Sequence, residues 1–311
     1  MTLPMRRQFD LIVVSDCVLD VYYRVNSLPI RKEDAIAADK MWFSPGGACT
    51  IAIVAGRLGL RVGVIDRLGR DCFSSILIRE LDANGVDTKM IKIDEHENTS
   101  ISNNIFDKNG GHAFFGYAGA GAMLSIKDVA SVTSAKAIFF DGYNLKETIS
   151  ASQAIMSAAT IASQNSIRVF FDPGPRKTSM VDKLITFSDT VFFNKRELLS
   201  YTRKSYRNSI EELINQRRTY IIKEGKAGST CISKGSIYHT EAFRVNRYEH
   251  TIGAGDVFDA TYIALIMKGN DIRKACEYAN LMASIKLKSS TLSDLPSLDL
   301  LIKIGKEHGI L

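Results

Sequence analysis

The chain alternates short, wholly apolar runs with longer stretches in which apolar residues return every three or four positions. Phe9 to Ser15 is the first such run, apolar and β-branched, as expected of a strand buried on both faces of a parallel sheet. Arg61 to Asp66, Ala137 to Asp141, Arg168 to Asp172, Thr190 to Phe193 and Tyr220 to Lys223 repeat the pattern. Between them, helical spacing predicts helices from Gly47 to Gly59, over Asp71 to Asn84 with Gly85 as its stop, over Ser150 to Gln164 and over Glu197 to Thr202. A strand-like segment, Phe243 to Tyr248, and a helix running on to about Lys268 complete the series. Strands alternating with helices predict an α/β fold, a doubly wound and mainly parallel sheet flanked by helices.

Two segments break this rhythm. Val18 to Phe43 alternates in places and carries Tyr22, Tyr23, Trp42 and Phe43, and Ser100 to Tyr117 alternates around the turn sequence Asp107-Lys108-Asn109-Gly110-Gly111. Paired together, about 18–43 and 100–117 would form a small β-sheet lid able to cover a ligand and exclude water; an ordinary sheet edge is the plainer alternative. The chain shows no internal repeat or low-complexity linker, and only six prolines. One domain over 1–311 with a small lid is the economical division.

Composition changes this picture little. With 311 residues, 45% apolar and 24% charged, the chain has a globular balance. It contains no apolar run near the roughly 20 residues that span a bilayer. Its start, Met1 to Asp10, has basic residues but no following apolar region with a cleavage site, so a cytoplasmic protein is expected. The five cysteines are scattered and lack a C-x-x-C pair, which favours reduced, partly buried thiols over disulfides or zinc. The net charge of +6 suits anionic ligands, but the basic residues form no stripe interleaved with aromatics, so nucleic acid is not the expected partner.

The chemistry concentrates at Thr251-Ile252-Gly253-Ala254-Gly255-Asp256, followed by Val257-Phe258-Asp259-Ala260. Small residues let the backbone approach a ligand, and the unpaired amides of a helix start favour an anion. Asp256, in the first turn, would then accept a proton from an attacking hydroxyl beside a transferring phosphate. A glycine turn capped by an aspartate is the bland alternative. No G-x-x-x-x-G-K-[ST] occurs, and no G-x-G-x-x-G follows the first strand, which disfavours P-loop and NAD-binding enzymes.

Seven segments, in order and over nearly the full length, resemble the ribokinase/PfkB carbohydrate and nucleoside kinase family. They are Pro45-Gly46-Gly47 with Ala55-Gly56-Arg57-Leu58-Gly59, Asp66 to Asp71, Phe115 to Ala120, Asp172-Pro173-Gly174-Pro175-Arg176, Asn194-Lys195-Arg196-Glu197, Lys223 to Gly228 and Thr251 to Asp256. The resemblance implies transfer of the γ-phosphate of ATP to a hydroxyl of a sugar or sugar-like substrate. It makes Asp256 the base and the Gly253, Ala254 and Gly255 amides the anion hole. Asn194 and Glu197 would organise Mg²⁺ and phosphates through water. They also have the spacing of a helix capping box, and both roles can hold together. Lys223, Gly225, Gly228, Thr251 and Asn280 fall on the nucleotide side. Asp20, Gly46, Gly47, Thr50 and Arg176 fall on the substrate side, with Arg176 equally able to pair with an acidic neighbour.

The chain departs from the pattern at five places. Ser15 stands where glycine is usual, Thr50 in the place of an asparagine, Gly174 in place of the asparagine of D-P-N-x-R, and His250 where an aspartate often opens the last signature. A glycine expected near Ser289 and Ser290 is also missing. The first three imply a pocket unlike that of ribokinase itself. His250 cannot supply anionic oxygen to a monovalent cation, so dependence on such a cation is not expected; His250 itself reads as a pH-sensitive group or a plain surface residue. Tyr22, Tyr23, Trp42 and Phe43 could stack a base, pack a dimer or fill core, which keeps a nucleoside kinase open. A phosphosugar kinase, a degenerate fold that only binds a nucleotide or metabolite, and a homodimer through the lid also stay open.

Overall fold

The computed structural model describes residues 7–28, 30, 35–109, 111–143, 145, 149–246, 248, 250–289 and 291–310. Gly110 of the expected hairpin turn, Ser290 and the first six residues lie outside the described residues.

The apolar runs form one large sheet. Its parallel strands are β1 (Phe9–Val14), β4 (Val62–Gly69), β5 (Ile91–Asp94), β8 (Ala135–Asp141), β9 (Arg168–Asp172), β10 (Thr190–Asn194) and β11 (Thr219–Lys223). β12 (Ser229–Ser233) and β13 (Ser236–Thr240) add an antiparallel edge that the apolar pattern had not signalled. The order is β13-β12-β11-β10-β9-β8-β1-β4-β5. The chain runs outward from β1 through β4 to β5, then returns on the other side of β1 through β8 to β11. This reversal creates a crevice at the carboxyl ends of the strands, where open α/β sheets bind ligands.

Alternation along each strand feeds two cores, one per face. Leu11, Val13, Val64, Phe139, Phe170, Phe192 and Ile221 pack with α1 (Ala48–Arg57), α7 (Ala254–Met267) and α8 (Ile272–Lys286). Ile12, Val14, Ile138, Phe140, Phe171, Phe193 and Ile222 face α3 (Ser150–Gln164), α4 (Ser179–Phe187) and α5 (Lys195–Thr202). α7 is buried on nearly every side from Val257 to Leu265, so its apolar character is continuous rather than confined to a stripe.

The two irregular segments pair as a separate small sheet. β2 (Cys17–Val25), β3 (Lys40–Gly47), β6 (Ile101–Asp107) and β7 (His112–Tyr117) lie in the order β3-β2-β6-β7. One expected strand is absent: the described residues of Phe243–Tyr248 are irregular backbone. Its apolar residues serve packing and a cavity wall instead of a ladder, with Phe243 set against the core and edge-on to His308.

Ser15 has φ 71°, and Asp16 follows at φ 63°. The chain leaves β1 through two left-handed residues, which accounts for the glycine usual at Ser15 and costs about 1 kcal/mol or more in strain. All five cysteines are free thiols, four of them buried.

Candidate active site

Four adjacent strands end on polar residues, Asp141, Asp172, Asn194 and Lys223. The parallel register sets Asp141 beside Asp172 and Asn194 beside Lys223, so one sheet edge gathers charge from positions far apart in sequence. Lys223 Nζ donates to Asp172 Oδ2 at 2.8 Å and to Asp259 Oδ2 at 2.7 Å. Burial alone would push this ammonium down; Asp172, Asp259 and Glu197 more than offset it and hold Lys223 charged. Asp259 is wholly buried, and its Oδ1 has no hydrogen-bond partner. Burial pushes the Asp259 carboxyl well up, against the pull of Lys223.

This ion cluster lies directly under the start of α7. Gly253 caps the helix at φ 76°, a left-handed conformation that turns the chain so that the first amides face outward. The Ala254 amide is engaged, donating to the Thr251 carbonyl at 3.2 Å, whereas those of Gly253 and Gly255 have no partner among the described residues. The open donors of the expected anion hole are therefore Gly253 and Gly255. A Cβ on Gly255 would lie 3.5 Å from Lys223 Nζ, so the ammonium sits just behind the amides. Asp256 follows in the first turn. Burial pushes its carboxyl up to about 7, with Lys223 pulling down and Asp172, Asp20 and Glu197 pushing further up.

Opposite Asp256 stands the small sheet. Asp20 is on β2 and 9% exposed, where a solvated turn residue was the alternative. It accepts from Tyr22 Oη at 3.1 Å and from Asn104 Nδ2 at 3.3 Å. Burial raises its carboxyl to about 6, moderated by those donors, by Ser102 and by Lys286. A Cβ on Gly46 would fall 2.2 Å from Asp20 Oδ2, so only glycine leaves room for the carboxylate there. Gly47 turns the chain from β3 into α1. Thr50 is buried and donates its hydroxyl to the Pro45 carbonyl at 3.1 Å, bracing the glycine turn. Arg176 is exposed and forms no ion pair among the described residues, so it stands apart from the cluster.

On the other side of the α7 start lies a cavity of about 630 Å³ whose walls include Lys223, Gly225, Gly228, Thr251, Gly255 and Asn280. Lys223, Gly225, Gly228, Thr251 and Asn280 thus meet in one space, whereas Asn194 and Glu197, also expected on the cofactor side, are not among its lining residues. Asn280 shapes it from beneath: its amide donates to Thr240 Oγ1 at 2.8 Å and Ser229 Oγ at 3.0 Å, tying α8 to the antiparallel edge.

Asn194 and Glu197 form the reciprocal capping box, with Glu197 Oε2 accepting from the Asn194 amide at 2.7 Å and Asn194 Oδ1 from the Glu197 amide at 2.8 Å. Burial raises the Glu197 carboxyl, and Asp172 raises it further. No group of three or more His, Cys, Asp or Glu that could hold a metal ion occurs among the described residues. The donors present fit a Mg²⁺ held chiefly by water and phosphate oxygens, which that ion prefers to keep.

His250 is not a plain surface histidine. It stacks on Tyr22 and Phe106, ring centroids 5.1 Å away in each case, and lies 6.0 Å from Trp42. Tyr22, Trp42 and Phe106 project from one face of the small sheet by strand alternation, the face that also carries Asp20. The loop before α7 is thereby packed against that sheet.

A model of the pfkB family carbohydrate kinases matches residues 8–298. The chain belongs to the pfkB family of carbohydrate kinases. An ATP-dependent ribose-1-phosphate kinase of Halopiger xanaduensis is 25% identical over 281 residues, covering 90% of this chain and 92% of that protein. A 5-dehydro-2-deoxygluconokinase of Geobacillus thermodenitrificans is 26% identical, covering 94% and 92%. Among solved structures, Arabidopsis thaliana ribokinase complexed with ribose and ATP superposes with a TM-score of 0.83 at 19% identity, over 96% and 99% of the two chains. The adenosine kinase of Sinorhizobium meliloti gives 0.84 at 20%, with the same coverage. These structures share the ribokinase fold, the large sheet and the small one together.

Asp172 and Asp259 stand within the sequence segments named above but carry no role there, and Lys286 lies outside them. Asp259 lies three residues after Asp256 on a helix, a spacing that sets both on neighbouring faces. Asp172 ends a strand, a position at the ligand edge of an open sheet. Lys286 carried no such signal.

Proposed function

We propose that the chain transfers the γ-phosphate of ATP to a hydroxyl of a small sugar or sugar-like acceptor, with Asp256 as the base. The observation that carries this reading is Asp256 in the first turn of α7, directly after the open Gly255 amide that borders the cavity, and within the electrostatic field of Asp20. Asp20, with Gly46 making room, would hold acceptor hydroxyls, since a carboxylate accepts two at once. Asp256 takes the proton of the attacking hydroxyl, and the amides with Lys223 behind them receive the charge that develops on the phosphoryl oxygens. Glu197, Asn194 and Asp172 border the place where Mg²⁺ would neutralise phosphate charge through bound water. Thr50 and Arg176 are proposed only as outer contacts. A single kinase unit, cytoplasmic and with the small sheet as its lid, completes the reading.

The stacked Tyr22, Trp42 and Phe106 suit a base as well as a sugar, so the assay covers both. Transfer from Mg-ATP is measured over sugars, sugar phosphates, sugar acids and nucleosides. Turnover on one class is expected; ATP binding without turnover on any class would favour a binding-only protein. Because the base works ionised, kcat/KM should rise about tenfold per pH unit below 7 and level off above it. Below about pH 6 the fall should steepen as Asp20 also protonates.

The outer face of the small sheet carries Met41 (57% exposed), Phe43 (49%) and Phe115 (61%). We assign a homodimer contact to this apolar face. Sedimentation of the wild type should give a dimer, and Phe115→Asp should shift it to monomer at the same concentration.

A further inference from the structure

A second cavity, of about 530 Å³, opens between β3 of the small sheet and the end of α8, beside the α7 start. Its walls carry Lys40, Lys286, Lys288 and His250, with Trp42 as an apolar side and Thr291 as a hydroxyl, and no carboxylate is among the described residues that line it. Lys40 lies over the Trp42 ring at 4.8 Å from its centroid, which seats that ammonium at the rim.

Lys286 joins this cavity to the reaction site. It is 9% exposed and forms no ion pair among the described residues. Its Cε lies 3.7 Å from where a Cβ on Gly253 would be, next to the open amide. Burial pushes its ammonium down, opposed by the fields of Asp20 and Asp294, neither of them within salt-bridge distance. A desolvated ammonium with no close counter-ion is costly unless a ligand supplies one. Asp256 acts on one end of the acceptor, and a molecule reaching past Asp20 and Gly253 meets this lysine-lined space.

We propose that the acceptor is anionic: a sugar derivative whose carboxylate or phosphate, at the end remote from the reacting hydroxyl, is received by Lys286 with Lys288 and Lys40 at the mouth. This rests on the kinase reading and names its substrate class. An ammonium facing a carboxylate or phosphate forms a charge-assisted bond, and selectivity then follows from leaving Lys286 without a counter-ion when a neutral acceptor binds.

The test uses matched pairs, a free sugar against its phosphate ester and an aldose against its aldonic acid, each with Mg-ATP. The anionic member of one pair should be used with kcat/KM at least about tenfold higher. Which pair shows the effect tells phosphate from carboxylate. Lys286→Met should abolish the preference, chiefly through KM for the anionic member. Lys288→Glu, at an exposed position that does not threaten folding, should raise that KM several-fold and make it more sensitive to salt. Equal use of neutral and anionic members would overturn the inference while leaving the kinase standing. A preference untouched by both substitutions would overturn the assignment to these lysines. Transfer to no acceptor by a protein that binds ATP would remove the kinase reading and this inference with it.

Discussion

Asp256→Asn should lower kcat by about a thousandfold while leaving ATP binding intact, the scale expected for losing a positioned general base. The same substitution should stabilise the protein. The Asp256 carboxyl moves from 3.8 to about 7 on folding, chiefly because it is buried. Between those values the folded state binds more protons than the unfolded state, so stability falls as pH rises through that window. A shift of that size corresponds to about 4 kcal/mol when Asp256 is ionised, of which relaxation around the carboxylate recovers part. Asparagine keeps the shape without the charge. Tm should therefore rise by about 2–4 °C at pH 8 and by less at pH 5. Activity and stability moving in opposite directions, with that pH dependence, would identify Asp256 as a group held ready at the expense of folding. A loss of Tm would instead show that its carboxylate holds the helix start together.

The largest stability effect is expected at Lys223. Its ammonium bridges Asp172 and Asp259 with all three side chains at most 14% exposed, so solvent screens little of the interaction. Lys223→Met leaves two carboxylates facing each other in a buried site, and urea unfolding should show a loss of about 3–5 kcal/mol. The sign of its pH dependence follows from the same linkage. Without the ammonium, the Asp259 carboxyl, which burial already pushes up, loses the charge that pulls it down, so the deficit should grow from pH 5 to pH 8. Adding Asp259→Leu to Lys223→Met should recover much of the loss, since the unpartnered Asp259 Oδ1 is then removed as well. Lys223 also holds Asp256 down, so in Lys223→Met any remaining activity should rise with pH along a profile displaced to higher values. A pH profile unchanged in the variant would separate the ion cluster from the base.

How much of this was legible in advance follows the range of the interactions. The Asn194–Glu197 capping box and the start of α7 at the glycine run depend on residues three or four positions apart, and both stand where spacing put them. Six strands of the main sheet, β1, β4 and β8 to β11, were legible because each is largely buried and apolar along its length, whereas β5 is partly or fully exposed at all four positions and gives no apolar run. Phe243 to Tyr248 misled for the opposite reason. Its apolar residues are used by packing and a cavity wall without any ladder, and composition alone cannot tell those uses apart. The β12–β13 hairpin passed unnoticed because β13 is largely exposed and its mixed residues give no buried run.

By itself, then, the sequence determined the α/β alternation, the motif order of the pfkB family and the local chemistry of the Gly253–Asp256 turn, all set by neighbours along the chain. Only the tertiary structure decided which charges meet. Lys223 finds Asp172 across 51 positions and Asp259 across 36, and Asp20 finds Asn104 across 84. Those contacts arise because strand order and register bring the carboxyl ends of β8 to β11 to one edge, and because the small sheet is set over it. His250 and Lys286 show the same dependence. One reads in sequence as a departure from the family pattern, a pH-sensitive group or a plain surface residue, and the other carries no signal, and burial against partners far along the chain is what gives each its place.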